Sequence, residues 1–164
     1  MTATQSTSPL KTGFKYKKRR HLSRELALQG IYQWRVAGND ASFIETQLRE
    51  TDIFPKTDES FFSDLIRGVL KNSTTLEHHI QPYLDRPLID LSPVESSILL
   101  LSTYELIHHL EIPYRAIINE AIELAKTYGG TDGYKYVNGV LDKLAAQLRA
   151  IEIQSQAKKK IESI

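Results

Sequence analysis

The chain has 164 residues, 41% of them hydrophobic and 25% charged, which is enough to bury the core of one compact domain. It contains no cysteine, so disulfide scaffolds, thiolate metal sites and cysteine nucleophiles are excluded. The formal net charge of +1 conceals an uneven distribution: residues 11–35 hold eight basic residues against the single acid Glu25, a local charge of +7 that leaves −6 on the remainder. A basic segment beside a mildly acidic body is the pattern of a protein that meets a polyanion on one face.

Residues 1–18 read as a flexible basic leader, because residues 1–13 are polar, include Pro9 and Gly13 and show no hydrophobic periodicity. The leader holds no apolar run fit for a signal-peptide core. The longest apolar run anywhere, Ile98 to Leu101, is far too short to span a bilayer, so a soluble cytoplasmic protein with no membrane partner is expected. Ser23 is placed to cap a first helix through Leu26, Ala27, Ile31 and Trp34 that stops near Gly38 and Asn39. Asp40 caps a shorter helix with Phe43, Ile44 and Leu48, ending before Pro55.

Thr57 opens a third helix, in which Phe61, Phe62, Leu65, Ile66 and Val69 recur at three and four residue spacing; Asn72 and Ser73 mark a stop and a restart. Leu76, Ile80 and Tyr83 continue a fourth, broken near Pro82 and Pro87. Ser92-Pro93-Val94-Glu95 combines an N-cap serine, a proline at the first helical position and a glutamate that completes a capping box. The helix it opens is apolar nearly all round from Ile98 to Leu110, which predicts a central position. Past Pro113, Ile117, Ala121, Leu124, Ala125 and Tyr128 form one apolar stripe that ends at Gly129 and Gly130. In the final helix Val137, Val140, Leu141, Leu144, Ala145 and Leu148 face inward. No segment alternates with period two for long, so the expected fold is all-α, about seven helices in two small packed bundles, with a frayed basic tail over residues 151–164.

No constellation for catalysis stands out. The pairs His78, His79 and His108, His109 are neighbours that point about 100° apart on a helix, so they read as surface histidines rather than metal ligands. Gly129, Gly130, Gly133 and Gly139 follow a helix and precede no Lys-Ser/Thr pair, which makes them caps and turns. Glu105, Glu120 and Glu123 are explained by a solvated face. A non-enzymatic protein without a cofactor or metal is expected. The basic segment continues into a helix and is interleaved with Phe14 and Tyr16, two features that favour nucleic acid over a mere solubilising arm; Lys158, Lys159 and Lys160 lack both.

Three segments carry a resemblance: Arg24-Glu25-Leu26-Ala27-Leu28-Gln29 through Tyr32; Pro113-Tyr114 with Ile118-Asn119-Glu120-Ala121-Ile122-Glu123-Leu124-Ala125-Lys126; and Lys135-Tyr136-Val137-Asn138-Gly139-Val140-Leu141-Asp142-Lys143. Together they resemble the NusB family over about residues 19–150. The resemblance implies a seven-helix fold of two three-helix bundles and a role in processive antitermination, notably of ribosomal RNA transcription. It implies that the protein pairs with Nus factor E, a small-subunit ribosomal protein, binds single-stranded boxA-type RNA and joins the RNA polymerase antitermination complex. The family's arginine-rich RNA contact falls on Arg19, Arg20 and Arg24, preceded by Lys17 and Lys18, and its other RNA-contacting positions match Lys135, Tyr136 and Asp132.

Positions facing the ribosomal-protein partner match Tyr32 and Glu95. Core packing for Tyr32, the capping box for Glu95 and an N-cap for Asp132 are the alternatives, and a partly buried tyrosine is the alternative for Tyr136. His21 and Leu22 stand where the family often carries further arginine, and Gly30 replaces an alanine, which points to close helix packing. Two other functions stay open: a scaffold that binds protein but no RNA, and an accessory module of ribosomal RNA methylation, disfavoured because no cofactor-binding α/β domain follows residue 150. A homodimer through Leu144, Leu148 and Ile151 is also compatible with the pattern.

Overall fold

The computed structural model describes the backbone of residues 9–163 and the side chains of residues 15–163. Eight α-helices are present among the described residues: α1 (Pro9–Ala37), α2 (Ala41–Arg49), α3 (Glu59–Lys71), α4 (Ser73–Ile80), α5 (Pro93–His108), α6 (Tyr114–Tyr128), α7 (Gly133–Leu148) and α8 (Ala150–Glu162). Short 3-10 turns at Phe54–Lys56, Gln81–Tyr83 and Leu88–Asp90 join them, and no strand occurs among the described residues. The all-α expectation therefore holds, with one helix more than the pattern suggested.

The central position of α5 follows from its sequence. Every residue from Ser96 to Leu106 is buried, and the helix packs against α1, α3 and α4 as well as α6 and α7. Its start behaves as the local signal requires: Pro93 takes the first position and Ser92 Oγ accepts from Glu95 N at 3.1 Å. Elsewhere α1 packs on α3 and α6 on α7. Phe62, Leu65, Ile98, Leu99, Leu124 and Leu141 form part of one continuous buried core. None of the helices described is long and apolar enough to cross a membrane.

Three expectations are corrected. First, α1 does not start at Ser23; it is helical from Pro9, so residues 9–18, read as flexible leader, are its first turns, while residues 1–8 of that leader and the side chains of Lys11 and Phe14 lie outside the described residues. Ser23 is buried in mid-helix, where its hydroxyl donates to Arg19 O at 3.0 Å and to Asp58 O at 2.8 Å, tying α1 to the loop before α3. Second, Asp58 rather than Thr57 caps α3, its carboxylate accepting from Phe61 N at 3.2 Å; Thr57 is buried and donates to Phe54 O. Third, the C-terminal segment is a separate helix, α8, set off from α7 at Arg149. The glycine stops hold: Gly129 ends α6 in an extended conformation, and Gly38 closes α1 with φ of 68° and donates to Trp34 O.

Arg149 explains that break. Its guanidinium is buried and donates to Leu106 O at 2.8 Å, His109 O at 2.9 Å, Ile112 O at 3.0 Å and Glu105 O at 3.5 Å, with Glu152 Oε2 at 2.6 Å. Leu106 O, left without a partner in the last turn of α5, and Ile112 O are satisfied by this one side chain, while Glu105 O and His109 O also accept from the backbone N–H groups of His109 and Ile112. Gly30 is equally constrained. A Cβ there would lie 2.6 Å from Ile66 Cδ1 and 2.8 Å from Leu48 Cδ1, so close approach of α1 to α2 and α3 accounts for the glycine.

Candidate nucleic-acid interface

The basic end of α1 divides along helical periodicity. Lys15, Lys17, Lys18 and Arg19 are exposed, Arg20 is half-buried and Arg24 is buried. Arg19 reaches the loop before α3, donating from Nε and Nη2 to Thr57 O at 3.3 and 2.9 Å. Arg20 pairs with Asp58 through Nε at 3.4 Å, and its guanidinium lies 4.7 Å from the Tyr16 ring centroid and 4.3 Å from that of Phe61. Both contacts hold an otherwise flexible cation in one place.

Arg24 is not one of the exposed cations. It is 5% exposed and donates to both carboxylate oxygens of Glu105 at 2.8 to 3.0 Å, with Phe61 stacked beside it. Burial pushes the Glu105 carboxyl up, against the pull of Arg24. The expected RNA contact at this position is thus corrected to a core ion pair between α1 and α5. Glu105, read as part of a solvated face, is corrected with it.

His21 partly replaces the missing cation. Its Nδ1 lies 2.7 Å from Glu120 Oε2 on α6 and its Nε2 3.1 Å from Glu25 Oε1. Burial opposes the imidazolium, but the hydrogen bond and charge of Glu120, then those of Glu25, outweigh it and raise the pKa. Both ring nitrogens can donate to carboxylates only when the ring is protonated.

The second group forms at the start of α7. Tyr136 is half-buried and its hydroxyl donates to Asp85 Oδ1 at 2.9 Å. Hydrogen bonds from Arg86 and then Tyr136 hold the Asp85 carboxyl at about 2, while burial and Asp85 push the Tyr136 hydroxyl up. Arg86 also lies 5.8 Å from the Tyr136 ring centroid. Asp132 occupies the N-cap position of α7 but makes no capping hydrogen bond; it faces solvent and pairs with Lys135 Nζ at 3.4 Å, a contact exposed enough to contribute little.

Glu95, Asp132, Gly133 and Tyr136 line one groove of about 340 Å³ together with Arg86 and Leu91. The capping box at Glu95 is only half used, since its backbone is capped by Ser92 while its carboxylate lies where a Cβ on Gly133 would stand, 2.3 Å away. Tyr32 is 41% exposed and is therefore not core. It lines a neighbouring apolar groove of about 260 Å³ with Leu28, Val94 and Tyr128. Val94 and Glu95, adjacent in the first turn of α5, connect the two grooves.

The structure brings Asp132, Lys135, Tyr136 and Glu95 together and sets them apart from the basic end of α1. Lys17 and Arg20 line a groove with Pro113 and Asn119 near the start of α6, whereas α7 begins just beyond its end. Fifteen residues of helix separate those ends, roughly 22 Å. Arg86 was not singled out from the sequence. Its only local signal is a lone basic residue between Pro82 and Pro87, and nothing there says that it faces a tyrosine fifty positions on. His109 is another revision: it is half-buried and bonded to Asp64 at 2.6 Å and Glu111 at 2.8 Å, so it is a bridging residue rather than a plain surface histidine.

Comparison with known proteins agrees with these features. The NusB family model matches residues 21–146. Transcription antitermination protein NusB of Nitrosomonas eutropha is 70% identical over 140 residues, covering 85% of this chain and 84% of that protein. The protein of the same name from Nitrosomonas europaea is 60% identical over 157 residues, 94% of either chain. A solved structure of T. maritima NusB superposes with a TM-score of 0.68 at 34% identity, covering 78% of this chain and 91% of that one. With a family model spanning most of its length and relatives this similar along nearly all of theirs, the chain belongs to the NusB family.

Proposed function

We propose that this chain is a cytoplasmic transcription antitermination factor that binds boxA-type single-stranded RNA of nascent ribosomal RNA transcripts together with Nus factor E, and that the pair joins RNA polymerase. The observation that carries this reading is the exposed row Lys17, Lys18 and Arg19 on a helix rather than on a loose arm. Cations held at fixed spacing capture phosphates with less ordering cost than cations on a coil. Lys135 and Tyr136 supply a second contact, a cation beside a ring held by Asp85, suited to one phosphate and one unpaired base. Tyr32 and Glu95, in adjoining grooves, supply the face for the ribosomal protein; a tyrosine with an apolar body and a polar tip suits such a surface. The helices divide, on this reading, into two three-helix bundles that share the central region around α5. The chemistry needs no bond made or broken.

The test is binding of a boxA-type RNA across a salt series, with and without the ribosomal protein, for the native chain, a Lys17→Ala, Lys18→Ala double variant and Tyr136→Ala. The double variant is expected to flatten the salt slope by about 0.7 for each phosphate that is no longer neutralised. Tyr136→Ala is expected to weaken binding by about 1–3 kcal/mol with the slope retained. A native chain that binds no RNA even with the partner present would leave a protein scaffold in place of this reading.

A further inference from the structure

A third groove, of about 480 Å³, lies where the basic end of α1 meets the start of α6. Tyr16, Lys17 and Arg20 line it from α1, and Asn119 and Glu120 from α6, while Pro113 and Ala116 add apolar surface. Tyr16 is 50% exposed, yet its ring is not loose, because the Arg20 guanidinium lies 4.7 Å from its centroid and is itself tied to Asp58 and Phe61. A half-exposed aromatic ring steadied by a cation is a stacking platform.

Two kinds of occupant could use such a platform. An acidic peptide would meet Lys17 and Arg20 but also Glu111 and Glu120, which line the same groove, so its charge is not matched there. A nucleobase is neutral, stacks through its face and presents donors and acceptors along its edge, while its own phosphates stay outside near Lys17, Lys18 and Arg19. The mixture of ring, amide, carboxylate and flanking cations fits that division of labour.

We infer that this groove holds one unpaired base of a bound RNA, stacked on Tyr16, with Asn119 and Glu120 at the base edge. The inference rests on the RNA-binding reading above and adds a specificity site to it. A carboxylate can only accept, so a base that turns a donor, such as an exocyclic amino group, toward Glu120 is favoured.

The test uses a short boxA-type single-stranded RNA with an abasic site placed at each position in turn, bound to the native full chain, to Tyr16→Ala, to Asn119→Ala and to Tyr16→Phe. Tyr16 and Asn119 are both exposed, and circular dichroism is the control that the variants keep their helices. In the native chain one position is expected to lose about tenfold in affinity on base removal. That loss disappears in Tyr16→Ala, shrinks in Asn119→Ala and survives in Tyr16→Phe, while the other positions keep their native profile. If the profile across positions is the same in native, Tyr16→Ala and Asn119→Ala chains while binding stays steeply salt-dependent, the base site is refuted and the RNA reading stands. If the native chain binds none of the RNAs, both fall together.

Discussion

Lys17, Lys18 and Arg19 on one side, and Arg24 and Arg149 on the other, are cations of the same chemistry with opposite surroundings. The first three are exposed on the opening turns of α1; Arg24 sits only one turn beyond and is buried, and Arg149 at the α7–α8 junction is buried too. Each buried guanidinium has a set of acceptors that matches its fork: the Glu105 carboxylate for Arg24, and four backbone carbonyls plus Glu152 for Arg149. Of the exposed cations, Arg19 has only the Thr57 carbonyl for its fork, and Lys17 and Lys18 are left to solvent and, on our reading, to phosphate. A run of basic residues thus marks where charge is, and only the packing around each residue decides whether that charge serves a ligand or the fold.

That contrast breaks most visibly at Arg149. Arg149→Ala removes the donor to Leu106 O and Ile112 O and leaves those two carbonyls and Glu152 without it, so we expect a loss of about 3–5 kcal/mol in urea unfolding. RNA affinity per folded molecule should be unchanged. Arg24→Met comes next and separates the two regions within a single helix. It strands the Glu105 carboxylate, and a loss of about 3–5 kcal/mol is expected near neutral pH. Burial already raises the Glu105 pKa, and losing Arg24 removes the pull against it. A raised folded pKa contributes stability below the unfolded value that is lost as pH rises through the folded one, so this variant should regain stability relative to native as pH falls toward the carboxylate range. A Glu105→Leu partner change should restore much of the loss at neutral pH. An Arg24→Met variant with native stability but weakened RNA binding would reverse our assignment.

Much of the fold was legible in the sequence, and the reasons are local. The Ser92-Pro93 start, the all-round apolar stretch of α5 and the stripes of α6 and α7 are written in neighbouring residues, and the structure realises them except at Leu110, which lies exposed beyond α5, and Tyr128, which is exposed at the end of α6. The start of α1 was not, because the polar residues before Ser23 make no apolar stripe; their helix is an extension of a buried one rather than an element with its own face. The Arg149 break was hidden for a different reason, since its partners lie some forty positions back. The candidate site divides in the same way. Exposed cations at the start of α1 and the Tyr136 surroundings matched positions named from the sequence, whereas the burial of Arg24 depends on Glu105, eighty-one positions away. Arg86 was invisible because its role depends on a loop reaching Tyr136.

The smallest effect falls on the residue that lies between the two regions. His21 is one helical turn before Glu25 and three residues before the buried Arg24, and its protonated ring bridges Glu25 and Glu120 at the edge of the basic face. Its folded pKa is raised above the ordinary value of 6.5, so its contribution to stability is complete below that value and is lost as pH climbs through the folded pKa. Comparing native and His21→Gln chains by urea unfolding should therefore give a difference that is present at pH 6 and fades toward mildly alkaline pH. Because about a third of the side chain is exposed, solvent screening keeps that difference under about 1 kcal/mol. RNA affinity should fall over the same interval in the native chain alone, since a neutral ring leaves Glu25 and Glu120 uncompensated beside incoming phosphates. A native chain whose stability difference from His21→Gln is flat with pH would show that folding does not raise the His21 pKa, and would return this edge of the basic face to Lys17, Lys18 and Arg19 alone.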